Sequence, residues 1–264
     1  MIIDVHTHCF PQEIAPKAMK ILKEKSQLAM VYTDGTINNL KKSMIKSKVD
    51  ISILQNIATK AEQTKNINRW AVKVQDEKIL SFGTIHPDYN LWHEEIMYLK
   101  ENKIKGIKIH PNDQGFEIDD ERMYPIYEEV FKNGLIILFH MGNDLITHSD
   151  NSTAKGLKSI IRLFPNGNII AAHMGGFRAW KEAEKYLIGE DIYIDTSSSL
   201  SYLGYKKMTQ LIKDHGVNKV LFASDSPWTD QEKEISELKK LDIDNDELKL
   251  ILGENARNIL KIMI

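Results

Sequence analysis

A single cysteine, Cys9, among 264 residues excludes an intramolecular disulfide and suits a reducing compartment. No apolar run is long enough to span a bilayer, and the N-terminus has neither the basic region nor the cleavage site of a signal peptide, so a cytoplasmic protein is expected. An excess of one charge is missing too. Lys+Arg 35 against Asp+Glu 37 leaves a formal charge of −2, which gives no electrostatic reason for a nucleic-acid partner or an anionic membrane. A glycine-rich phosphate loop is also absent. The turn after the first apolar run reads HTHCFP, which counts against a doubly wound nucleotide-binding sheet. What remains is an ordinary globular composition, 42% hydrophobic and 27% charged, and a length that fits one barrel-sized domain over residues 1–264.

Eight short apolar runs read as strands, at residues 1–8, 49–56, 79–87, 104–111, 135–142, 168–176, 191–198 and 219–228. Each is followed by a segment of helical periodicity, such as 152–164, where Leu157, Ile160, Ile161 and Phe164 form one stripe. The run LIILFHMG is almost wholly apolar, as expected for a strand covered on both faces. Strands alternating with helices, and no two strands in succession, predict a parallel α/β architecture. The length selects a closed (β/α)8 TIM barrel, with the open doubly wound sheet as the runner-up.

A barrel of this kind carries its active site at the C-terminal strand ends. There the chain places His6 and His8, which share a strand face, then His86, Lys108, His110, His140, His173 and Asp225. Six of the nine histidines fall at strand exits, while His93, His148 and His215 read as ordinary surface residues. Neutral imidazoles with a carboxylate can hold a divalent cation such as zinc and leave room for a water, whose pKa the cation lowers towards neutrality. A further unliganded histidine can move protons near working pH. Cys9, on the strand face opposite His8, reads as a buried thiol. Arg178, just past HMGGF, suits a carboxylate clamp as well as it suits a solvated helix start. Trp228 reads equally as a pocket wall or as packing under its loop.

The HTH pair, FHMG, HMGG and SDSPW, in this order on the first, fifth, sixth and eighth strands, resemble the amidohydrolase superfamily. The likeness is to the amidohydrolase-related branch that includes aminocarboxymuconate-semialdehyde decarboxylase with related decarboxylases, hydratases and lactonases. The ending ILGENARNIL is similar to that branch as well. The resemblance implies that His6, His8, His140 and Asp225 bind one metal ion, zinc being expected, and that His173 activates or orients water or substrate. It implies that Asp225 also carries protons. In binuclear members a carboxylated lysine on the fourth strand bridges two ions, with His140 and His173 on the second. The nearer branch works with one ion, so Lys108 is expected to face substrate or to stand behind the ligands, with His110 beside the metal.

The leading expectation is a metal-dependent hydrolase acting on an amide, lactone or ester of a small molecule. The second is a lyase that decarboxylates or hydrates an unsaturated or aromatic acid. Known decarboxylases of the branch tend to be longer, so the brevity of this chain leans towards hydrolysis. A barrel that binds without turnover is the third reading. A homodimer is compatible with the sequence, but no feature compels it.

Overall fold

The computed structural model describes residues 1–26 and 31–262. Its eight strands are β1 (Ile3–Thr7), β2 (Ile51–Gln55), β3 (Ile79–Thr84), β4 (Gly106–Ile109), β5 (Ile136–Phe139), β6 (Asn168–Ala171), β7 (Tyr193–Asp195) and β8 (Val220–Leu221). All neighbours pair in parallel, in the order β1 to β8. The barrel closes between β8 and β1, where Val5 N donates to Phe222 O at 3.1 Å and Asp225 N donates to His6 O at 2.8 Å. This is the TIM barrel expected from the alternating pattern.

Two apolar layers hold it together. Ile3, Val5, Ile53, Phe82, Leu138 and Ile170 belong to the cluster that fills the barrel interior, and Ala256 and Leu260 of the helix Asn255–Leu260 join it. Ile107, Ile109, Ile137, Phe139 and Ile194 face the other way, into a larger cluster shared with helix residues such as Leu99, Tyr127, Leu157 and Leu211. The strands are buried on both faces, which is why their sequences read as unbroken apolar runs.

Every strand is found where its run lies, and most stop short of the run's C-terminal end. His8, His110 and His140 directly follow their strands, and His173 and Asp225 lie two and four residues past theirs. There the backbone leaves the ladder and can aim side chains over the barrel mouth. β1 shows how. Its register with β2 shifts between Asp4 and Thr7, and such an irregularity re-aims the residues that follow. Ile3 and Val5 join the interior cluster, yet His6 and His8 also line the cavity at the mouth. Asp4, which strict alternation from His6 would turn inward, instead accepts hydrogen bonds from Ser224 Oγ at 2.6 Å and Gln231 Nε2 at 2.8 Å.

One glycine holds two strand exits together. Gly142 has φ +84, a Cβ on it would lie 2.4 Å from Phe177 N and O, and its N donates to Ser152 O at 2.9 Å. Phe177 N in turn donates to Met141 O at 2.9 Å, so the segments carrying His140 and His173 are laced by main-chain bonds. Both the left-handed backbone and the close approach demand glycine here. Gly142→Ala should therefore destabilise the fold by about 2 kcal/mol or more, read as a lower denaturation midpoint in urea. An unchanged midpoint would contradict this packing.

Candidate metal centre

His6, His8, His140, His173 and Asp225 come from four different segments, the first two sharing one, and line one cavity. His6, His8 and Asp225 form a group whose ligand atoms lie within 4.8 Å of one another, and His6, His173 and Asp195 form a second. Asp225 Oδ1 stands 3.3 Å from His8 Nε2 and 3.7 Å from His6 Nε2. His140 is joined less directly, its Nδ1 lying 3.2 Å from His173 Nε2. His173 at φ 58 and Asp225 at φ 68 both adopt the left-handed backbone region, which a side chain enters only where surrounding structure compels it.

The outer nitrogen of each ring faces an acceptor. His6 Nδ1 donates to Asp195 Oδ2 at 2.9 Å, and His8 Nδ1 donates to Gln55 O at 2.9 Å. His140 Nε2 meets Asn143 O at 3.3 Å, and His173 Nδ1 meets Ser197 O at 3.2 Å. These partners fix the tautomers and leave the inner nitrogens as lone pairs. Such backing is what metal-binding histidines require. Burial, and for His6 the nearby Lys108 as well, keeps the His6, His140 and His173 rings neutral. His6 is pushed down to about 3, His140 falls well below its ordinary value, and His173 is lowered.

The carboxylates go the other way. Burial opposes ionisation of Asp225, but the hydrogen-bonding His8 ring and the adjacent His6 and His173 hold it below the usual carboxylate range. Asp195 is held at about 2, where burial is outweighed by the attraction and hydrogen bond of His6. Neutral imidazoles turned towards an ionised carboxylate ask for a positive charge between them, either a shared proton or a divalent cation. The donor set therefore fits a metal ion. Lys108 competes for the same place. It is 1% exposed, burial pushes its ammonium down to about 8, and Nζ lies 3.2 Å from His6 Nε2.

Other sequence candidates divide. His110 lies face to face with His140, ring centroids 3.9 Å apart and planes 12° apart, while its Nδ1 accepts from Asp113 N. The group His110, His140 and Asp144 is also compact. A cation lies in the plane of each imidazole it binds, however, and no point between two stacked rings satisfies both. Trp228 lines the cavity, and so does Cys9, whose buried thiol is pushed up to about 12. Arg178 does not line the cavity. It is exposed, two residues ahead of the helix Trp180–Tyr186, over the Phe177 and Tyr202 rings. His86 is buried outside the cavity wall, with Nδ1 accepting from Asp88 N. His215 is not a surface residue: it is buried between Gly189 N and Ile192 O, bonded to both. His93 and His148 are exposed as expected.

The sequence reading missed Asp195. Its carboxylate braces His6 and also accepts from His173 N at 3.0 Å, from Ser197 N at 3.0 Å and from Ser197 Oγ. An ionisable residue at the exit of the seventh strand, in IDTSS, was the available signal.

The cavity encloses about 690 Å³ and is walled mainly by apolar and aromatic groups. Among the described residues, no helix is long and apolar enough to cross a membrane.

A closed barrel with histidines and an aspartate gathered at its C-terminal mouth defines a class of metal-dependent enzymes. The amidohydrolase family model matches residues 3–262, and the chain belongs to that family. The fold is similar to an uncharacterised TIM-barrel protein from Bordetella bronchiseptica, at 16% identity and TM-score 0.80 over 98% of both chains. It is also similar to 5-carboxyvanillate decarboxylase from Sphingomonas paucimobilis, at 17% identity and TM-score 0.73 over 99% of both chains. A dihydroxybenzoic acid decarboxylase from Polaromonas, solved with manganese and 2-nitroresorcinol, matches at 16% identity and TM-score 0.74, over 98% of this chain and 96% of that one. No curated protein matches in sequence.

If Asp195 orients His6 for a cation, Asp195→Asn should weaken metal affinity by about 10–100-fold in a chelator-competition titration. Unchanged affinity would make Asp195 a purely structural group.

Proposed function

We propose that the protein is a metal-dependent lyase that removes carbon dioxide from an aromatic or unsaturated carboxylic acid. The observation that carries the reading is the joining of the His6/His8/Asp225 group to a largely apolar cavity. Support for setting decarboxylation ahead of hydrolysis, which the sequence alone favours, comes from the aromatic-acid decarboxylases among the similar structures. Chain length no longer argues against it, since the match to 5-carboxyvanillate decarboxylase spans 99% of that chain.

His6, His8, His140 and Asp225 would hold the ion, for which we propose zinc, with manganese as the alternative seen in the Polaromonas structure. When bound, the ion supplies a positive charge that anchors an anionic substrate. The chain's own groups do the rest. Apolar walls strip water from the carboxylate and favour its conversion to neutral carbon dioxide. As the bond from the ring or alkenyl carbon to the carboxyl carbon breaks, its electron pair stays on that carbon and is taken up by a proton.

His173 is the group to which we assign delivery of that proton. Its Nδ1 is tied to Ser197 O, its Nε2 faces His140 Nδ1 at 3.2 Å as a lone pair, and burial lowers its pKa, so a proton gained on Nε2 is readily given away. Asp225, whose Oδ2 accepts from Ser198 Oγ at 2.6 Å, is the second proton carrier.

Incubating metal-loaded enzyme with hydroxybenzoates and other aromatic or unsaturated acids should release carbon dioxide and the matching decarboxylated product. His173→Asn should cost about 100-fold or more in kcat with its fold intact. Turnover of lactones or amides without carbon dioxide release would restore the hydrolase reading.

A further inference from the structure

The metal centre occupies one region of a much larger space. A cavity of about 690 Å³ lies within the roughly 300–1,000 Å³ that encloses a drug-sized ligand, and an acid of one ring fills only part of it. Part of the remaining wall comes from two helices that follow β1 and β2, Ala15–Ser26 and Thr64–Lys73.

On the first helix, Ala18 and Leu22 line the cavity one turn apart, and Ile14 continues the stripe just before the helix begins. Among that helix's residues only Ala15 and Met19 are fully buried, so the Ala18–Leu22 face is turned to the cavity rather than to the core. On the second helix Ile67 and Trp70 line the same cavity, half-buried, and Phe10 adds an aromatic ring from the loop after β1. A stripe of this kind left facing an open cavity is apolar surface awaiting a partner.

Charge narrows the choice of partner. Asp113, Asp144, Asp230 and Glu234 line the cavity outside the metal cluster, burial pushing Asp113 and Glu234 up to about 7, and Lys233 is the one cation there among the described residues. A second carboxylate or a phosphate on the distal part of a substrate would meet carboxyl groups, whereas a neutral hydrocarbon or aryl group would meet apolar wall.

We propose that this wall is a substrate subsite, and that the natural substrate is a monocarboxylic acid extended by a neutral apolar or aryl group about the size of a second ring. The carboxylate end rests on the lyase reading above. The apolar subsite is read from the cavity walls and can be tested separately.

The test is the binding of a graded series of acids to metal-loaded protein, followed by quenching of tryptophan fluorescence and by calorimetry. Benzoate, 4-phenylbenzoate and 4-(2-phenylethyl)benzoate form the series, with biphenyl-4,4′-dicarboxylate as the doubly charged control. Affinity is expected to rise at least tenfold from the first acid to the longest, while the dicarboxylate loses most of that gain. Ala18→Trp fills the subsite and should abolish the gain while leaving benzoate affinity within about twofold. Leu22→Ala, which removes wall without crowding the fold, should lose part of it. Equal affinities along the series, or a gain that both variants retain, would overturn the subsite. Carbon dioxide release assayed on the same acids separates the two claims. A rising binding series without turnover leaves the subsite standing and removes the lyase reading, and turnover with a flat series does the reverse.

Discussion

The structure depends on hydrogen bonds made behind the histidines, on the side of each ring facing away from the centre. A carboxylate holds His6, and main-chain carbonyls hold His8, His140 and His173. Each bond uses one ring nitrogen as donor and so determines that the other arrives as a lone pair. Were these partners donors instead, the same rings at the same places would offer protons to one another and repel a cation. Burial reinforces the arrangement, because desolvation penalises the imidazolium and keeps the His6, His140 and His173 rings neutral.

The fold supplies those partners. Gln55 O stands at the end of β2, Asp195 at the end of β7, and Ser197 O two residues beyond it. Closing eight strands into a ring brings these exits round one mouth, although His6 and Asp195 are 189 residues apart. The register shift in β1 and the close contact between Gly142 and Phe177 then adjust locally the segments that carry His6, His8, His140 and His173.

Much of this was legible in the sequence. Strands buried on both faces leave unbroken apolar runs, so all eight could be found, and the residues of chemical use were concentrated where those runs end. What could not be read follows from pairing and packing. The shift at Asp4 depends on how β1 meets β2, which local alternation does not encode. Asp195 looked like one more polar residue in a serine-rich turn, and only the closed barrel brings it to His6. His215 was misread as a surface residue because a histidine ending a helix resembles a solvated one until the carbonyl of Ile192 is found against it. Arg178 follows a loop near the mouth, but the turn at φ 56 carries it out over Phe177 and Tyr202.

The central claim is that four lone-pair donors converge on a single cation, and anomalous scattering from a crystal grown with zinc or manganese tests it most directly. The account predicts one strong peak at bonding distance from His6, His8, His140 and Asp225, with Lys108 Nζ withdrawn from His6 Nε2. No peak in that space, or a peak held instead by His110 and Asp144, would contradict it.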